Sequence, residues 1–94
     1  KMKDRDNFYK KLKNKLDDTT TFPSDYLYKF IVTSEGDKVA LVKEIFKDKN
    51  ATIAIKKSKT EKYISISVVI YIENSNQVIS YYKKAEKIEG IISL

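Results

Sequence analysis

Ninety-four residues suit one small domain, large enough to bury a core without staples and too short to hold a second one. Cysteine and histidine are both absent, which removes disulfides, thiolate chemistry, the usual neutral-pH acid/base and the commonest metal ligand, so neither a metal site nor a cofactor is expected. The formal charge of +6 rests on 19 basic residues of which Arg5 is the single arginine, and lysine point charges speak to solubility more than to bidentate recognition of bases or phosphates.

From Asp6 to Leu16, Phe8, Leu12 and Leu16 recur at helical spacing with Tyr9 beside them and lysines at positions 10, 11, 13 and 15. That pattern predicts an amphipathic helix with one narrow apolar stripe. Asp17 to Thr21 is polar, and Pro23 follows Phe22, so the helix is expected to give way there to a linker. The chain thus divides into a leading helix and linker over residues 1–21 and a domain over residues 22–94. The opening Lys1-Met2 reads as a start beyond a native first residue. No apolar run approaches the roughly 18 residues of a membrane span and no secretory core opens the chain, so a cytoplasmic protein without a membrane partner is expected.

Tyr26 to Val32 is apolar and aromatic around a lone Lys29, and an unpaired buried lysine is expensive. Lys29, Leu27 and Ile31 are therefore expected to point outward, with Tyr26, Tyr28, Phe30 and Val32 inward. Ser34-Glu35-Gly36-Asp37 reads as a helix N-cap with acidic residues in the first turn, followed by Val39, Val42, Ile45 and Phe46 on one helical face. Ala51 to Lys57 alternates, and the polar stretch Ser58 to Glu61 leads into Tyr63 to Ile72, so the two runs predict an antiparallel hairpin. In the second run Ile64, Ile66, Val68, Ile70 and Ile72 share one face, which supplies on the order of 10 kcal/mol of gross burial. Asn74 and Ser75 can cap a helix whose inward positions are Val78, Tyr82, Ala85 and Ile88; Gly90 is expected to close it, before a short strand from Ile91 to Leu94. The order after the leading helix is β-α-β-β-α-β. The fold class is α+β, ferredoxin-like, with a four-stranded antiparallel sheet, both helices on one face, and the first and third strands in the centre.

The stretches Phe22 to Val32, Lys56 to Val68 and Lys87 to Leu94 resemble the YbeD-like family of small bacterial proteins. The resemblance covers most of the chain from Phe22 onward. It implies a ferredoxin-like, ACT-like fold and an unknown function, and it brings no catalytic residues. Members of that family often carry glycine in the turn before the tyrosine; Glu61 stands there in this chain, so a different turn geometry is expected.

Two candidate sites follow. The loop of Ser34, Glu35, Gly36 and Asp37 lies at a helix start, in the position where, by the resemblance, ACT domains hold an effector; its acidic residues favour an amine or an amino acid over a phosphate. The second is the sheet face opposite the helices, where Leu27, Ile31, Tyr63, Val69, Tyr71 and Ile91 surround Lys29, Ser65, Ser67 and Ser93. Such a face is too apolar for bare water, and either the leading helix, a second copy or a protein partner is expected to cover it. Asp17-Asp18 and Glu86/Glu89 stand in exposed or helix-end contexts, so no catalytic residue is named and no enzyme is expected. The reading is a non-catalytic domain that binds a small effector or a protein, in a regulatory role and open to homodimerisation. The alternative is a single-stranded RNA-binding module using the open face and the hairpin lysines Lys56, Lys57, Lys59 and Lys62. Ser65 stands where such modules place a second stacking ring, so nucleic acid is not the expected partner.

Overall fold

A computed structural model describes residues 2–94, with side chains from Arg5 onward. Seven elements follow one another: α1 (Met2–Thr19), β1 (Ser24–Thr33), α2 (Lys38–Ile45), β2 (Thr52–Lys57), β3 (Tyr63–Ile72), α3 (Ser75–Ala85) and β4 (Ile92–Ser93). The strands form one antiparallel sheet in the order β2-β3-β1-β4. β1 and β3 occupy its centre, paired over ten residues from Ser24↔Ile72 to Thr33↔Tyr63.

The alternation along the two central strands decides what the sheet buries. Tyr28, Phe30 and Val32 of β1 and Ile64, Ile66, Val68, Ile70 and Ile72 of β3 all lie in the core with Val42 of α2 and Val78 of α3. The aromatic side chains cluster: Tyr28 stacks on Phe30, Phe46 stacks on Tyr81, and Tyr26 and Tyr82 meet Tyr28 edge-on. The one polar atom that Tyr28 carries into this core is satisfied, its hydroxyl donating to the carbonyl of Val78 at 2.9 Å. α2 is short because the chain leaves it through Asp48 and Asn50 in the left-handed region, which those two residue types tolerate.

Four expectations need correction. The leading helix does not stop at Leu16 but continues to Thr19, and its inward positions are Tyr9, Leu12 and Leu16, while Phe8 is half exposed to solvent. It packs along α3, not across the open sheet face. The reason is that its two ends find partners on α3: the Ser75 hydroxyl donates to Asp17 at 2.6 Å, and Arg5 and Tyr9 donate to Glu86. The two helices therefore run antiparallel. Ser34 does not cap α2; Asp37 holds the N-cap position without a side-chain bond, and no acidic residue lies in the first turn. Finally, α3 ends at Ala85, and Gly90, at φ +75°, serves the turn into β4 instead of closing the helix. At the other end of α3, Asn74 is the cap, accepting from the Gln77 amide at 2.9 Å.

Candidate binding face

The face of the sheet turned away from α2 and α3 follows from the same period of two that builds the core. Successive rows across β1 and β3 are Asp25–Tyr71, Leu27–Val69, Lys29–Ser67, Ile31–Ser65 and Thr33–Tyr63. β2 extends three of these rows with Thr52, Ala54 and Lys56. No described element lies over this surface. Leu27 is 55 % exposed, Tyr71 58 % and Tyr63 49 %, and Val69 is exposed as well. Ile31, Ser65 and Ser67 are half-buried by their neighbours, and Lys29 is exposed in their midst. Every residue expected on this face from β1 and β3 is there.

β4 departs from expectation by one residue. Ile92 pairs with Ile31 and so stands on the open face, half exposed, whereas Ile91 packs against the core and Ser93 pairs with Phe30 on the helix side. Asp25, at the start of β1, is a member of the face that the apolar pattern beginning at Tyr26 did not reveal. Extending the alternation back by one residue would have found it.

The loop Ser34–Asp37 has other duties than holding a ligand. The Ser34 hydroxyl donates to the Glu61 carbonyl at 2.6 Å and its amide donates to the Lys62 carbonyl at 2.9 Å, tying the loop to the β2–β3 turn. Glu35 and Asp37 are exposed, and Gly36, at φ +73°, has open space around it. The three cavities lined by Tyr9 and Tyr82, by Phe46 and Ile53, and by Lys13 and Ile79 do not include these four residues. The turn they brace places Glu61 at φ +58°, the region that favours glycine, so the backbone keeps a glycine geometry despite the glutamate. Ser58 closes that turn from inside, its amide donating to the Tyr63 carbonyl at 2.8 Å and its hydroxyl accepting from the Tyr63 amide at 3.1 Å.

A groove of about 760 Å³ runs between α1, the end of α3 and β4, floored by Leu12, Tyr82, Ile88 and Ile91. At its rim Tyr9 donates to Glu86 at 2.5 Å, and Arg5 donates to both. Burial, aided by the bond to Glu86, pushes the Tyr9 phenol up to about 12. The same bond, with Arg5 beside it, holds the Glu86 carboxyl below its usual value. Burial raises Tyr28, Tyr81 and Tyr82, and hydrogen bonds from Ser75 and Lys13 lower Asp17. All these shifts carry their groups away from neutrality. Among the described residues no cluster of acidic side chains is arranged to hold a metal ion. Among the described residues no helix is long and apolar enough to cross a membrane.

Comparison with known proteins places this geometry. The family described as "Protein of unknown function (DUF493)" matches residues 17–94. The solution structure of protein HP0495 from H. pylori superposes with a TM-score of 0.68 at 20% identity, covering 81% of this chain and 86% of that one. The ACT domain from the GTP pyrophosphokinase of Chlorobium tepidum superposes with a TM-score of 0.56 at 13% identity, covering 76% of this chain and all of that one. At these identities the likeness is one of fold. No curated protein matches the chain.

Proposed function

The chain belongs to the DUF493 family, the YbeD-like proteins of unknown function with an ACT-like fold, and from that premise we propose that it is a non-catalytic regulatory domain that binds a protein partner through its open sheet face. The observation that carries this reading is the contiguous exposure of Leu27, Val69 and Tyr71 on two adjacent strands. Exposed apolar patches of this kind mark interaction surfaces. The strand order and the ACT likeness support a ferredoxin-like topology, in which such a face is held rigid by two central strands.

A small effector at Ser34–Asp37 is the weaker form of the reading, because Ser34 is already engaged by the β2–β3 turn. The experiment is comparative capture of native partners by the full chain and by Leu27→Lys, Tyr71→Lys and Phe8→Lys. Partners lost with the first two variants and kept by the third support the open face. A partner indifferent to all three, or an amino acid that raises the melting temperature until Ser34→Ala removes the effect, would move the function elsewhere.

Single-stranded RNA is the second reading, favoured by one observation: Tyr63 and Tyr71 stand exposed on the strand that also flanks Lys29 and Lys56. It requires binding that survives physiological salt and weakens with Tyr63→Ala, because a stacked base is worth about 1 to 3 kcal/mol. Weak binding that fades as salt rises and ignores Tyr63→Ala reports lysine charge alone.

A further inference from the structure

We propose that the open sheet face docks on the same face of a second copy of this chain, about a two-fold axis that crosses the strands at the Leu27–Val69 row. The proposal rests on the reading of that face as the working surface and names its partner. It is carried by self-complementarity in both central strands about one row. Along β1 the face reads Asp25, Leu27, Lys29; along β3 it reads Tyr71, Val69, Ser67; and the register places these side by side in three consecutive rows.

In a face-to-face pair whose axis lies in the interface across the strands, each strand meets its own copy running in the opposite direction. Leu27 then meets Leu27 and Val69 meets Val69, while Asp25 of one copy faces Lys29 of the other, twice by symmetry. Tyr71, the most exposed of the apolar residues on these rows, comes over the small Ser67 of the other copy. A large side chain over a small one and a cation opposite an anion thus arise together from one operation. Placing the axis two residues further on would set Lys29 against Lys29, an axis running along β1 would set each charge against itself, and one running between β1 and β3 would set Asp25 against Tyr71 and Lys29 against Ser67, leaving both charges without a counter-charge. Among the described residues neither Asp25 nor Lys29 forms an ion pair within the chain, so both remain free for the other copy.

The size of the contact sets its strength. With the axis at Leu27, residues 24–30 of β1 overlap their own copy, about 23 Å of strand, and with neighbouring strands about 5 Å apart the central pair and its β2 flank cover roughly 350 Å² per copy, below the usual size of specific interfaces. A weak, reversible dimer in rapid exchange follows, populated as the concentration rises.

Sedimentation equilibrium of the full chain from about 1 to 500 µM tests this. The expected result is a monomer–dimer equilibrium that Asp25→Lys and Lys29→Asp each weaken by about tenfold or more, and that the double variant restores to within about threefold of the original. Restoration is the discriminating result, because only a contact between copies places position 25 against position 29. A second readout needs no charge change: the chain has no cysteine, so Leu27→Cys should be joined to its copy by a short bis-maleimide, while Ala40→Cys on α2 should not. A chain that stays monomeric throughout, a dimer indifferent to the single swaps, or a double variant that folds but does not recover would each overturn the proposal. If the chain is monomeric while Leu27→Lys and Tyr71→Lys still lose a captured partner, self-association fails and the binding face stands; if those variants lose nothing either, both fail.

Discussion

Ile66 and Ser65 are neighbours in sequence and inhabit opposite sides of one strand. Ile66 is wholly buried beneath the helices, whereas Ser65 is half-buried on the open face with its hydroxyl near the Lys56 carbonyl. Ile66→Asp should therefore leave the domain unfolded at 25 °C by circular dichroism, since an unpaired buried charge costs several kcal/mol. Ser65→Thr should change stability by less than about 1 kcal/mol in urea denaturation. Equal losses would mean that the faces are reversed. Glu61 poses a different question, because its cost lies in the backbone: a non-glycine residue in the left-handed region is disfavoured by roughly 1 to 2 kcal/mol. Glu61→Gly relieves that cost but frees the unfolded chain by about 0.4 to 1 kcal/mol, so a net gain of several tenths of a kcal/mol is expected in the same titration. At this scale the sequence was readable wherever alternation is long. β3 presents ten alternating residues and its phase is unmistakable; Ile91 and Ile92 are both apolar and their strand is two residues long, so nothing in the pattern could choose which of them faces the core.

Between elements, α1 and α3 are joined by carboxylates, and this makes their union dependent on pH. Hydrogen bonds from Tyr9 and then Arg5 lower the Glu86 carboxyl from 4.5, and those from Ser75 and Lys13 lower Asp17 from 3.8. A carboxyl with a depressed folded value binds its proton more readily when unfolded. Its stabilising contribution is complete above the unfolded value and lost as the pH falls through the folded one. Stability should thus be flat above about pH 5.5 and decline below 4.5, and Glu86→Gln should flatten that decline while lowering the plateau, as read from melting temperatures between pH 3 and 7. That α1 is an amphipathic helix was plain from its spacing. Its docking site was not, since Phe8 and Tyr9 are adjacent and either could have led the apolar stripe. The decision came from Glu86, 77 residues beyond Tyr9, which accepts the tyrosine hydroxyl and has nothing to offer a phenylalanine.

For the molecule as a whole, α1 belongs to the same core as the sheet, because Leu16 is buried there and Leu12 packs against it. Deleting residues 1–18 removes both leucines and Tyr9, and burial of this kind is worth about 3 to 5 kcal/mol, a large share of the typical margin of a small domain. The truncated chain should lose stability by that amount in urea denaturation, while the open face, which α1 does not touch, stays as it was. A truncated chain as stable as the full one would show that the helix rests on α3 without supporting it. The central pair of strands was legible in the sequence, because right-handed crossovers put the first and third strands in the middle and those are its two most apolar runs. What covers the outer face was not legible, because the same mixed apolar and polar residues would suit a helix or a second copy.

The central pairing of β1 with β3 also governs how the chain reaches this structure. Its partners lie between 30 residues apart, at Thr33 and Tyr63, and 48 apart, at Ser24 and Ile72, whereas β2 and β3 meet across a turn only seven residues from Lys57 to Ile64. The hairpin can zip locally, but the largest set of contacts forms only after a long loop has closed, and loop closure is an entropic toll met before any reward. Folding is therefore expected to be gated by the arrival of β1 on a preformed hairpin, which refolding kinetics of a variant weakened in the β1–β3 pairing would check. Until it arrives, β3 offers an open hydrogen-bonding edge with five inward aliphatic side chains beside it, and at high concentration that edge is the point at which two unfinished chains would find each other first.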